Sequence, residues 1–136
     1  LNGAPFIDPY AWAEALRKFD FPGVAFREAY FQPIFCEFAG QTCGGIQLHV
    51  TDRSTFTPVI VGIAMVKTAY DMYPDNFQWR QNAYEYEFGK NPFDVVCGTD
   101  KIRKAIEAGE SVDMVASGFG AKLAEFGGLR KNYLLY

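Results

Sequence analysis

The hydrophobic positions of this chain change period several times, and each change marks an element. Behind Asp8-Pro9, Trp12, Leu16 and Phe19 recur at helical spacing. That predicts a helix with one buried face, capped by Asp8 and carrying Pro9 at its first position. Asp20-Phe21-Pro22-Gly23 ends it. From Val24 to Phe31 the pattern alternates: Val24, Phe26, Glu28 and Tyr30 share one face, and Ala25, Arg27, Ala29 and Phe31 the other. Neither face is purely apolar. Pro33 closes this strand, because proline cannot donate to a ladder.

Residues 34–43 read as a loop, and Gly44-Gly45 as a turn or a close backbone approach. The run Gly44 to Arg53 then reads as a strand with Ile46, Leu48 and Val50 on its apolar face. Gln47, His49 and Thr51 occupy the other face, and Asp52-Arg53 follows where the strand runs out. Thr57 is expected to cap a second helix with Pro58 at its first position and a stripe of Val59, Ile63, Val66, Tyr70 and Tyr73, stopped by Pro74-Asp75-Asn76.

Asn82 to Phe88 alternates again, with Tyr84, Tyr86 and Phe88 against Glu85 and Glu87. Phe93 to Cys97 is a short apolar run that suits a strand or an irregular segment before Gly98. Thr99 or Asp100 caps a helix to Ala108, and Ser111 starts the last one, with Val115, Phe119, Leu123 and Phe126 on one side. Gly118, Gly120, Gly127 and Gly128 weaken that helix, which is broken unless packing compensates. The apolar tail Tyr133-Leu134-Leu135-Tyr136 is expected to dock on the core. With no βαβ rhythm and no repeat, the reading is a single α+β domain: a small mixed or antiparallel sheet packed with about four helices.

Composition narrows the function classes. A chain of 136 residues fits one domain with a real core. The 49% hydrophobic and 17% aromatic content excludes disorder and leaves rings to line a groove. With 13 Lys and Arg against 16 Asp and Glu, and no basic stripe, the footprint of a nucleic-acid binder is missing. The longest nearly uncharged stretch, Ser54 to Val66, is too short for a membrane span. Three cysteines do not make a complete disulfide framework. Cys36 and Cys43 can pair in an oxidising compartment, or all three remain reduced and mostly buried. One histidine and no CxxC leave no basis for a zinc site, and no cofactor motif is present. The chain starts at Leu1 with neither methionine nor signal peptide, which reads as a segment of a longer protein.

The candidate chemistry centres on His49, the single histidine. It is either a structural residue or, beside Gln47 and Thr51, a group that hydrogen-bonds a sugar hydroxyl or transfers a proton near pH ~6.5. Asp52-Arg53 either begins a helix or offers Arg53 as a bidentate clamp for a carboxylate or phosphate. Glu28 beside Tyr30, or Arg27 across from them, can reach a cleft. Glu28, Glu85 and Glu87 can supply a glycosidase carboxylate pair, with Glu85 and Glu87 about 6–7 Å apart if they sit on one strand face. The alternative is a charged edge that blocks aggregation. A Cys–His hydrolase would need His49 as base, and nothing places a cysteine beside it. There is no Walker loop and no GxSxG, and Gly118-Phe119-Gly120 follows no strand.

Several stretches match a known pattern in order. They are Gly3-Ala4-Pro5-Phe6-Ile7-Asp8, Pro22-Gly23-Val24-Ala25-Phe26-Arg27 and, most specifically, Cys43-Gly44-Gly45-Ile46-Gln47-Leu48-His49-Val50-Thr51-Asp52-Arg53. Tyr84-Glu85-Tyr86-Glu87-Phe88, Gly98-Thr99-Asp100 and Tyr133-Leu134-Leu135-Tyr136 complete the set. On these residues the chain resembles the C-terminal domain of the NamZ family of exo-β-N-acetylmuramidases. The resemblance implies that residues 1–136 are part of a bacterial cell-wall-recycling enzyme that releases N-acetylmuramic acid from non-reducing ends of peptidoglycan fragments. It implies an N-terminal Rossmann-like domain, absent here, that carries the catalytic glutamates and forms the cleft with this chain. It also implies a cell-envelope location, periplasmic or secreted. Gly127-Gly128 departs from the charged, helix-favouring residues expected there.

Under this resemblance the chain has no catalytic residue of its own, His49 and Glu28 being the only candidates. Gln47, His49, Asp52, Arg53 and Tyr30 are the expected substrate contacts. Two alternatives stand beside it: a self-sufficient hydrolase built on Glu28, Glu85 or Glu87 with His49, and an interaction module that only docks a partner domain.

Overall fold

Asp8 opens the first helix in the way its sequence predicts: its carboxylate accepts from the Tyr10 and Ala11 amides at 2.9 and 3.0 Å. The computed structural model describes every residue except Cys36, Ala83 and Tyr136. The possible Cys36–Cys43 pairing and the end of the tail thus lie outside the described residues. The α+β chain resolves into two compact units, Leu1–Gln78 and Trp79–Tyr136.

The first unit holds β1 (Asn2–Ala4), α1 (Pro9–Arg17), β2 (Val24–Phe31), β3 (Cys43–Val50) and α2 (Pro58–Met72). Its sheet has the order β1-β3-β2, antiparallel throughout. β1 has too few residues to show any periodicity in the sequence. Gly44 and Gly45 lie inside β3 rather than in a turn, and the reason is close approach. A Cβ at Gly44 would stand 2.1 Å from the Ile7 carbonyl oxygen, and one at Gly45 2.0 Å from that of Asn2.

α1 covers the face of the sheet that carries Phe26 and Ile46. Leu16, Ile46, Trp12 and Phe26 are buried, and the Arg17 guanidinium donates to the Phe26 carbonyl at 2.7 Å. The expected apolar row of β3 buries unevenly: Ile46 is buried, Leu48 is intermediate and Val50 is exposed. α2 also departs from its expected stripe. Val59 is exposed, whereas Val61, Ile63, Ala64, Met65 and Ala69 are buried. A helix apolar on nearly all sides has no single face for periodicity to reveal. α2 is fixed to α1 by the Trp12 indole, which donates to Thr68 Oγ1 at 3.0 Å. At its far end the Tyr73 hydroxyl accepts from the Asp8 amide at 3.0 Å.

The second unit holds α3 (Pro92–Cys97), α4 (Lys101–Glu107), α5 (Val112–Ser117) and α6 (Gly120–Arg130). Phe93–Cys97 is helical rather than extended. Asn91 caps it, accepting from the Phe93 amide at 2.9 Å, and Gly98 stops it at φ 68°. The expected strand through Tyr84–Phe88 is instead a tight turn. The Tyr84 and Glu87 backbones exchange bonds of 3.3 and 3.0 Å, and Glu85 takes φ 53°. Alternation alone makes no strand where no partner supplies a ladder. The last helix breaks at Gly118-Phe119 into α5 and α6. Tyr133 and Leu135 are exposed rather than docked.

Buried Ile102, Ile106, Val112 and Val115 form the core here. A near-buried ion pair joins α3 to α4: Arg103 Nε and Nη2 reach Asp94 at 2.9 and 2.8 Å, and Nη1 reaches Glu107 at 3.1 Å.

Candidate functional site

Residues directly opposite in an antiparallel pair project to the same side of the sheet. The register pairs Arg27 with Gln47, Ala25 with His49, and Ala29 with Gly45. These six residues therefore share the face opposite α1. Arg27 and His49 are exposed and Gln47 is intermediate. The Arg27 guanidinium donates to the Gln47 side-chain oxygen. Flanking Ala25, Ala29 and Gly45 keep the surface low, so a guanidinium, an amide and an imidazole stand together over small neighbours. Alternation placed Gln47 and His49 on one face; Arg27 joined them only through the register.

The turn after β3 is organised by Asp52. Its Oδ1 accepts from the Ser54 amide at 2.8 Å and the Ser54 hydroxyl at 2.7 Å. The Ser54 hydroxyl first, then the Ser54 amide, hold the Asp52 carboxyl below its usual range. The Gly23 carbonyl accepts from the Thr51 and Asp52 amides at 2.9 and 3.3 Å. Gly23 has φ 72°, and a Cβ there would meet the Asp52 carbonyl at 2.4 Å. Asp52 thus builds a turn rather than a helix start, and the turn presents exposed Arg53.

The remaining candidates are placed elsewhere. Tyr30 pairs with Gly44 and lies on the α1 side, so the sheet separates it from Gln47 and His49. Glu28 is on the α1 side as well, with Arg17 Nη2 at 2.6 Å from its carboxylate. Backbone hydrogen bonding first and Arg17 next hold the Glu28 carboxyl low, which suits an ionised anchor and not a general acid. Sequence gave no sign of the Arg17 partner, because the two residues meet only when α1 folds onto β2.

Glu85 lies inside the turn of the second unit and Glu87 closes it, so the two do not share a strand face. Glu87 accepts from the Gly89 amide at 3.0 Å, and that bond, with Lys90 beside it, holds its carboxyl low. Cys97 is pushed up by burial and by Asp94, which disfavours a thiolate. Cys43 shares the strand face of His49 but lies six residues away, about 20 Å along the strand. Among the described residues no group of three or more His, Cys, Asp and Glu converges on a point. No helix among them is long and apolar enough to cross a membrane.

Residues 1–136 match the family described as exo-beta-N-acetylmuramidase NamZ, C-terminal. Peptidoglycan beta-N-acetylmuramidase NamZ of Bacillus subtilis (strain 168) is 38% identical over 136 residues, covering 100% of this chain and 31% of the relative. The crystal structure of a DUF1343 family protein from Bacteroides fragilis superposes with a TM-score of 0.82 at 22% identity. That match covers 98% of this chain and 34% of the other, and it establishes the fold. The chain spans about a third of the length of both.

Proposed function

The chain belongs to the NamZ C-terminal family, and on that premise we propose that it supplies a substrate-contacting surface that completes the active site of a peptidoglycan glycosidase. In this reading residues 1–136 are the C-terminal domain of a larger exo-β-N-acetylmuramidase. Bond cleavage falls to an N-terminal Rossmann-like domain outside this chain. A peptidoglycan substrate puts the enzyme at the bacterial cell envelope, periplasmic or secreted.

The observation that carries the proposal is the exposed part of the sheet face where Arg27, Gln47 and His49 stand together. N-acetylmuramic acid at a non-reducing end offers hydroxyls, an acetamido group and, where no peptide is attached, a lactyl carboxylate. The amide of Gln47 and the imidazole of His49 both donate and accept, which suits hydroxyl and acetamido groups. A guanidinium fork suits the carboxylate. Two arginines are available for that role: Arg27 on the face itself and Arg53 on the turn that Asp52 holds. Asp52 acts through that turn, and Tyr30 does not join the constellation.

The test uses the complete enzyme with a chromogenic N-acetylmuramic glycoside and its N-acetylglucosamine analogue. A charge-assisted contact is worth about 1.5–3 kcal/mol, so losing it lowers kcat/KM about 10- to 100-fold. Arg27→Ala or Arg53→Ala is expected to show that loss on the muramic substrate and a much smaller one on the analogue. Equal losses on both substrates, or none in either variant, would remove the carboxylate clamp. If Gln47→Ala and His49→Ala are silent as well, the chain is an interaction module without substrate contact.

A further inference from the structure

α6 presents apolar side chains that nothing in its own unit buries. It buries none of its residues, whereas the shorter α4 and α5 bury Ile102, Ile106, Val112 and Val115. Leu123, Phe126 and Leu129 are 65%, 60% and 54% exposed. Their three-residue spacing confines them to about a third of the helix circumference. Past the helix end Tyr133, Leu134 and Leu135 are exposed as well. A free helix of 11 residues is marginal in water, and Gly120, Gly127 and Gly128 weaken this one further. Tertiary packing on the apolar stripe must therefore hold it.

We propose that the α6 stripe is an interdomain surface whose occupant is the part of the polypeptide that precedes this chain in the complete enzyme. This rests on the reading above that the chain is the C-terminal portion of a longer glycosidase. The lengths support that occupant. The two relatives match this chain over 100% and 98% of its residues, yet the matches cover only 31% and 34% of their own chains. About two thirds of each lies outside the match and is available to cover α6. Charge argues against a second copy. An antiparallel two-fold pairing centred on Phe126 would bring Lys122 of one helix against Arg130 of the other. Like charges so placed oppose association.

Hydrogen–deuterium exchange on the complete gene product tests the proposal. Amides of α6 are expected to exchange at least tenfold more slowly than an unprotected helix of that sequence. Leu123→Asp with Phe126→Asp is expected to abolish that protection while β3 amides keep theirs. The wild-type measurement stands by itself should the double variant fail to fold. Fast exchange across α6 in the complete protein overturns the proposal. So does protection that disappears on dilution as light scattering reports a dimer dissociating, and so does a gene product with no residues before Leu1. Activity on muramic substrates is read in parallel. Activity with an unprotected α6 sinks only the interface, and a protected α6 without activity sinks only the proposed function.

Discussion

Replacing Arg103 by Met leaves the aliphatic stem in place and removes every contact its guanidinium makes. Those contacts run to Asp94 at 2.9, 3.1 and 2.8 Å and to Glu107 at 3.1 and 3.3 Å. The Asp94 side chain is only 9% exposed, so its carboxylate would stay nearly dry without its cation. Breaking a fully buried pair from one side costs about 3–5 kcal/mol. The Arg103 side chain is 21% exposed, and water reaching that end discounts the loss to about 2–3 kcal/mol. The loss should fall on the second unit, because Asp94 and Arg103 tie α3 to α4. The chain has two tryptophans, Trp12 in the first unit and Trp79 in the second. Urea unfolding in a Trp12→Phe background therefore follows Trp79, whose ring lies 5.0 Å from that of Phe93. The midpoint should drop without a change in slope. Adding Asp94→Asn should recover part of the loss, since the double variant no longer buries an unpaired charge. A change below about 0.5 kcal/mol, the usual range for surface substitutions, would refute this account of the pair.

Gly44→Ala should prevent normal folding of the first unit, since its Cβ would lie 2.1 Å from the Ile7 carbonyl oxygen; a cooperative melt at the wild-type temperature would contradict the close approach. Gly128→Ala meets nothing within 4 Å and should raise the stability of α6 by up to ~1 kcal/mol, read as increased helical circular dichroism; an unchanged or reduced signal would count against it. Asp52 has a lowered native pKa, so its contribution is complete above the unfolded value of about 3.9 and is lost as pH falls through the lowered native one. Its carboxyl resonance should titrate below that value in the native protein and move up in Ser54→Ala. A midpoint at or above it in the wild type would remove the turn's role.

Local chemistry made much of the first unit legible in advance. Asp8-Pro9, Pro58 and the alternation of Val24–Phe31 act within a few residues, and the elements they announce stand where expected. The second unit was harder for a physical reason. Asn91-Pro92 and Gly98 fix α3 more strongly than the apolar run between them suggests. Tyr84–Phe88 shows that alternation describes two faces but cannot create a neighbouring strand.

By itself the sequence determined the α+β class, the caps at Asp8 and Ser111, and the family resemblance. It also placed Gln47 and His49 on one side of a strand. Only the tertiary structure decided which side is covered and who stands beside them. Register is a relation between distant segments: it set Arg27 against Gln47 and sent Tyr30 to the other face, while the packing of α1 on β2 brought Arg17 to Glu28. Side-chain period is a local property that a chain carries with it, whereas the partner across the ladder is chosen only when the core forms.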